Sequence, residues 1–298
     1  MKRLPVLAAA LSIIPAVHAQ VKVEQIDYHG WMGAYRISND TVDLVVVPQV
    51  GRVMRYGYLG QANMLWENAA LAGKPPVAGQ WNNYGGDKMW PAPQRDWNWP
   101  PDPAIDGAPW TAEPLPSGLR LTSPVGARAK IQFVRDITLQ STGTNVSFHN
   151  LMKNQGPAHL LSPWQITQLD DPFSVFLPTL PTPQMTNGWR LLQGPHVDSA
   201  VHHIQPGGIQ LSRSNVAYKF GAFSDSGEIT ASKGSVVFHM QTKTYPRLNY
   251  PDGGSAMEVF LNAGADKYAE LELLGPLTRM DNGEAAVLDT TWRLTQGQ

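Results

Sequence analysis

Short runs in which apolar and polar residues alternate recur along this chain, and a period of two is the pattern of a strand half-buried on a sheet. Residues 41–47 are apolar and rich in β-branched side chains. Residues 129–139, 145–151, 235–241, 257–261, 268–274 and 286–294 alternate in the same manner, and Gly, Pro, Asn and Asp separate the runs. No stretch of twelve or more residues carries a strong helical period. The proline clusters at 75–76, 100–103 and 178–183 read as loops and not linkers, because strand candidates resume directly after each. The pattern predicts an all-β chain. One large antiparallel β-sandwich is the simplest architecture, and two stacked β domains divided near residue 180 are the alternative.

Composition supports this reading and narrows the chemistry. Gly (27) and Pro (25) are frequent among the 298 residues, as a turn-rich β fold requires. Apolar residues at 42% and charged residues at 16% suffice for a large core. There is no cysteine, which excludes disulfides, cysteine-ligated zinc, iron–sulfur clusters and a cysteine nucleophile. Lys plus Arg number 23 against 24 Asp plus Glu, so the chain has no electrostatic reason to seek nucleic acid or an anionic membrane.

The first residues read as a targeting signal. Lys2 and Arg3 form a basic start, residues 4–16 are apolar, and Val17-His18-Ala19 has the small-residue pattern of a cleavage site. The apolar run is too short to span a bilayer, and no second long one follows. Residues 1–19 are therefore expected to be a signal peptide cleaved after Ala19, leaving 20–298 as one periplasmic or secreted domain. Cleavage removes two positive charges and moves the formal net charge from −1 to −3.

Candidate chemistry concentrates in two places. Residues 81–110 hold five of the ten tryptophans (Trp81, Trp90, Trp97, Trp99, Trp110) among amides, charges and prolines. Sugar C–H faces pack on indole while sugar hydroxyls need paired donors and acceptors, so such a segment suits a carbohydrate. It equally suits a long loop pinned to a sheet by aromatic side chains. Within it, Gly85-Gly86 allows a turn at positive φ. Asp87-Lys88 follows at once, either at a pocket mouth or as a surface ion pair. The second place is Glu270-Leu271-Glu272. In a strand the two carboxylates share one face, about 7 Å apart, and a nearby cation or a raised pKa would relieve their repulsion. The pair could supply a general base or be a solvated strand face. The histidines show no metal-binding spacing, and there is neither a Gly-x-Ser-x-Gly turn nor a dinucleotide fingerprint. No metal or cofactor is expected.

Several blocks taken together resemble the galactose mutarotase-like, or aldose 1-epimerase, superfamily. Residues 39–65 run strand, Pro48, Gly51-Arg52-Val53, strand, like that superfamily's opening. Residues 150–157 followed by Ser162-Pro163-Trp164-Gln165-Ile166-Thr167 resemble its central strand–turn–strand. Glu270-Leu271-Glu272 is similar to its catalytic Glu-x-Gln, and Gly283-Glu284 to its Pro-Gly-Glu turn before a last strand. The 83–93, Ser-Pro-Trp-Gln and Tyr250-Pro251-Asp252-Gly253-Gly254 blocks are most similar to the uncharacterised DUF4380-type branch.

The resemblance implies a single β-supersandwich with a sugar in the concave face of one sheet. It implies a Glu base that takes the anomeric hydroxyl proton and a His that protonates the ring oxygen. Glu270 stands in the position of the base, with Glu272 where the superfamily has Gln. Both family histidines are replaced, by Tyr84 before Gly85-Gly86 and by Trp164-Gln165, so Lys88, His149 or His239 are the substitutes to consider for the acid. The expected site is Glu270, Glu272 and Lys88 for catalysis, with Asn83, Asp87, Trp90, Trp164, Gln165 and Arg247 for substrate. The expected ligand is a monosaccharide or the sugar-acid end of a glycan. A non-catalytic carbohydrate-binding protein of the cell envelope is the main alternative. Lyase or hydrolase chemistry and a structural envelope role stand behind it.

Overall fold

The computed structural model describes residues 20–297 except 98, 173 and 197, so the expected signal peptide lies outside the described residues. Two antiparallel sheets pack face to face. The first runs, in spatial order, Lys22–Tyr28, Trp31–Ser38, Val42–Val47, Arg52–Tyr58, Asp87–Ala92, His159–Asp170, Tyr268–Leu274, Met257–Leu261, Tyr218–Ala222 and Trp189–Gln193, with Thr278–Met280 pairing the start of His159–Asp170. The second runs His202–Gln205, Gly208–Leu211, Ser174–Pro178, Glu228–Lys233, Val236–Thr242, Ala285–Gln296, Val146–Asn154, Ile131–Leu139, Gly118–Thr122 and Thr111–Leu115. The chain on either side of residue 180 contributes to both sheets, and one continuous apolar core lies between them. The all-β, antiparallel supersandwich read from the sequence is the fold observed.

The period of two explains the layers. Ala285–Gln296 alternates buried and exposed positions along nearly its whole length, and Val146–Asn154 does so almost as regularly. Their inward side chains (Phe148, Met152, Leu288, Trp292) fill the core, and the outward ones meet water. Two central strands of the first sheet break this pattern. Every residue of Asp87–Ala92 is buried, as are nine consecutive positions of His159–Asp170, from Leu161 to Leu169. Burial on both faces means that the outer face is covered there, and the cover over Trp90 comes from both sides of its strand, from Trp81 before it and from Trp97 and Trp99 after it.

The tryptophan-rich segment is held by a buried ion pair. Arg52 of the Gly51-Arg52 motif donates from Nη2 to Asp106 Oδ1 at 2.5 Å and from Nη1 to the Gly85 carbonyl at 2.9 Å. The indole N–H groups of Trp90 and Trp81 donate to the two oxygens of Asp106, each at 3.1 Å. One carboxylate thus orients two tryptophans. Gly85 and Gly86 adopt φ of +92° and +71°, and a Cβ on Gly85 would lie 2.2 Å from the Trp66 carbonyl oxygen. Only glycine fits this turn, which delivers the chain into Asp87–Ala92.

Candidate active site

Strand alternation decides which side chains reach the outer face of the first sheet. From Asp87–Ala92 they are Lys88 and Trp90; from His159–Asp170, Trp164, Ile166 and Gln168. Tyr268, Glu270 and Glu272 come from Tyr268–Leu274, Glu258 and Phe260 from Met257–Leu261, and Lys219 from Tyr218–Ala222. Trp81, Trp90, Trp164, Lys219, Tyr268 and Glu270 line an open cavity of about 250 Å³, together with Gln94, Trp99, Gln193, Phe260 and Asn262. Trp90 stands edge-on to Trp164 at 5.6 Å and to Trp99 at 6.2 Å between ring centres.

Two charge clusters border this cavity, each reaching its lining through one side chain, Glu270 in the first and Lys219 in the second. Lys88 Nζ lies 3.1 Å from Glu270 Oε1, and Gln168 Nε2 donates to the same oxygen at 2.9 Å. Both contacts fall on Oε1, which leaves Oε2 for a ligand. Lys88 also stands 4.7 Å from the centre of the Trp90 ring. Burial pushes its ammonium below the usual range, against the pull of Glu270. In the second cluster Lys219 Nζ lies 2.6 Å from Glu258 Oε2 and 2.9 Å from Glu272 Oε2, while Trp164 Nε1 donates to Glu272 Oε2 at 2.7 Å. Glu258 and Glu272 face each other across neighbouring strands and are wholly buried. Burial pushes the Glu272 carboxyl up to about 8, with Glu258 and Glu270 adding to the rise against Lys219. Glu258 is raised as well, again by burial first. Burial opposes the Lys219 charge too, but its two carboxylates outweigh it and hold the ammonium above its usual range. The Tyr268 phenol is pushed up by burial and by Glu270, and takes a hydrogen bond from Asn83 Nδ2 at 3.3 Å.

The expected site residues therefore divide. Glu270, Glu272, Lys88, Trp90 and Trp164 gather at the cavity, and Asn83 supports it from behind Tyr268. Asp87 and Gln165 do not reach it, and this corrects the pocket role expected of them. Adjacent residues in a strand point to opposite faces, so Lys88 and Trp164 send Asp87 and Gln165 into the interior between the sheets. There Arg135 Nη2 donates to Asp87 Oδ1 at 2.5 Å, and Gln165 Nε2 and Thr167 Oγ1 donate to Oδ2 at 2.8 and 2.9 Å. Thr290 Oγ1 donates to Gln165 Oε1 at 2.5 Å, and Arg135 Nε to Asn150 Oδ1 at 2.8 Å. Arg247 is likewise corrected, since it is exposed in the loop after Val236–Thr242 and does not line the cavity. Trp97 and Trp110 pack toward the core, the latter stacked parallel to Phe133. Lys219, Glu258, Gln168 and Tyr268 belong to the site and escaped the sequence reading.

No protein-family model matches the sequence, and no curated protein matches it. Solved structures do match. A protein from Synechocystis sp. PCC 6803 gives a TM-score of 0.59 at 12% identity, over 92% of this chain and 99% of its own. A galactose mutarotase-like protein from Clostridium acetobutylicum gives 0.54 at 12%, over 93% and 99%. Galactose 1-epimerase from Lactobacillus acidophilus NCFM gives 0.54 at 10%, over 94% and 99%. This chain has the galactose mutarotase-like fold. Identities this low show the fold alone, and the chemistry has to be argued from the cavity itself.

Within this galactose mutarotase-like fold the two histidines considered as substitutes for the acid lie on the second sheet. His149 is half exposed and sits 2.6 Å from Asp289, beside an open groove on that sheet's outer face. His239 contacts Glu228 and Thr295. Neither lines the cavity of the first sheet, and no histidine does so among the described residues.

Proposed function

We propose that the protein is a carbohydrate-active enzyme of the aldose 1-epimerase type, with Glu270 as the base that takes the proton of the anomeric hydroxyl. The observation that carries this reading is the setting of Glu270. Its carboxylate lines a tryptophan-walled cavity, one oxygen is fixed by Lys88 and Gln168, and the other is left for a ligand. Indole faces pack against the C–H face of a pyranose, and the fixed carboxylate meets a hydroxyl at its edge. The ligand is a monosaccharide or the sugar end of a glycan. The N-terminal pattern supports an exported protein cleaved after Ala19, and the mass of the mature chain recovered from expressing cells checks this.

A second reading is a carbohydrate-binding protein without catalysis. It is favoured by the absence of histidine from the cavity lining among the described residues. Two-dimensional exchange NMR of an aldose and uronic acid panel separates the two. Faster anomer exchange that vanishes in Glu270→Gln is the enzyme's result. Line broadening of one sugar with unchanged exchange is the binding protein's, and it overturns the role given to Glu270.

A further inference from the structure

The enzyme reading leaves the ring-oxygen acid unassigned, and the second charge cluster can supply it. Glu258 and Glu272 are directly opposite in register, and their side chains are fully buried. One ammonium, Lys219, lies against one oxygen of each. Two ionised carboxylates with a single cation would leave a net charge in the interior, which burial penalises. The carboxylate oxygens agree with a proton there. Both oxygens of Glu258 and Oε1 of Glu272 are buried without a hydrogen-bond partner, Glu258 Oε2 meeting Lys219 only as an ion pair at 2.6 Å. A proton on the pair turns one unpaired acceptor into a donor. Lys219 connects the pair to the cavity: its side chain is 16% exposed, lines the cavity and stands 4.5 Å from the centre of the Trp164 ring.

We propose that Glu258 and Glu272 share one proton, and that Lys219 delivers it to the ring oxygen of the sugar as the general acid of the site. The proposal rests on the reading of Glu270 as base. Glu270 takes the anomeric hydroxyl proton, the electron pair of that O–H bond becomes the carbonyl π bond, and the bond from C1 to the ring oxygen breaks. The ring oxygen takes a proton from Lys219 as Lys219 takes the shared proton of the pair, so the ammonium is never left neutral. Reclosure on the other face of C1 runs each transfer backward. Nothing is oxidised or reduced, and no proton is gained or lost over the cycle. Glu258 and Glu272 act through Lys219 and are positioning residues and a proton store.

The groups that face this pair are Lys219 from Tyr218–Ala222, Trp164 from His159–Asp170, and Glu270 on the same strand as Glu272; Asp252, in the turn before Met257–Leu261, acts on Glu258. Two measurements test the proposal. The first is a carboxyl-carbon NMR titration of the ligand-free protein, labelled at glutamate. One glutamate signal is expected to keep its protonated shift well above the usual range, and to be lost in both Glu272→Gln and Glu258→Gln. Ordinary glutamate titration throughout overturns the shared proton.

The second is the pH profile of anomer exchange. Lys219→Met should lower exchange at neutral pH by 100-fold or more while sugar broadening persists. Glu272→Gln should abolish the alkaline fall of the rate. Lys219→Met together with Glu258→Gln removes one charge of each sign and controls for folding, and it should be as slow as Lys219→Met alone. Wild-type exchange in either Lys219 variant, with Glu270→Gln silent, overturns the acid and leaves the base standing. Absence of exchange in the wild-type protein on every sugar overturns base and delivery together, and the carboxyl titration still reports the shared proton.

Discussion

Asp87 and Lys88 are neighbours in sequence, and they belong to two different kinds of charge cluster. Asp87 lies between the sheets, where Arg135, Gln165 and Thr167 saturate its carboxylate. Lys88 lies on the outer face of the first sheet, where it pairs with Glu270 of the cavity lining, while Glu272, Glu258 and Lys219 stand two, three and four strands away. The inner cluster is nearly closed, with Arg135 Nη1 its unpaired nitrogen. The outer cluster keeps buried carboxylate oxygens without donors and one carboxylate oxygen open to a ligand. A network satisfied by its own chain holds two layers together. A cluster left incomplete beside an open cavity is arranged for something that is not part of the chain.

The contrast can be broken by substitution. Asp87→Ala leaves the Arg135 guanidinium buried without its counter-ion, and we expect a loss of about 3–5 kcal/mol of stability, read from urea unfolding. Glu270→Gln should do the reverse. Lys88 is already held below its ordinary range and can shed its proton, so stability should fall far less than in Asp87→Ala, while anomer exchange falls about 10²–10⁴-fold. Equal stability losses in the two variants would erase the distinction between the clusters.

A comparable effect sharpens the comparison at the loop. Asp106→Ala removes the acceptor of Trp81 and Trp90 and strands the buried Arg52 guanidinium, and should cost about 3–5 kcal/mol. It should also weaken sugar binding, measured by titration calorimetry, because the wall loses its orientation.

The outer cluster also predicts a pH dependence. Glu272 holds its proton up to about 8 in the folded protein against 4.5 for an ordinary glutamate. The folded state therefore binds more protons than the unfolded state within that window. Its contribution to stability is complete below about 4.5 and is lost as pH rises toward about 8. Unfolding midpoints across that range should show this decline in the wild type and a flatter profile in Glu272→Gln. The smallest effect belongs to Arg247→Ala. Its side chain is exposed and remote from the cavity lining, and stability should change by less than about 0.5 kcal/mol.

Seven of the strands were legible because their period of two is written in single residues. Residues 257–261 and 268–274 match the observed strands end to end, and the other five runs differ by a few residues. Asp87–Ala92, buried on both faces, carries no alternation and read as part of a loop. The common face of Glu270 and Glu272 followed from the same rule. The rule also sends Asp87 and Gln165 inward, and grouping neighbours by chemistry hid that consequence. Lys219 and Glu258 were missed for another reason. Each is one charge inside a short apolar run, Tyr-Lys-Phe-Gly-Ala and Met-Glu-Val-Phe-Leu, and that isolation was the available signal. Their meeting depends on strand order and register across a sheet, which no local pattern encodes.

The central claim is that the tryptophan-walled face around Glu270 receives the sugar. A crystal structure of Glu270→Gln, grown with the aldose that gives the strongest NMR response, tests it most directly. The account predicts the anomeric oxygen within hydrogen-bond distance of the side chain at 270, with the pyranose against Trp90 or Trp164. A sugar seated in the groove beside His149 on the second sheet, with the Glu270 cavity empty, would contradict it.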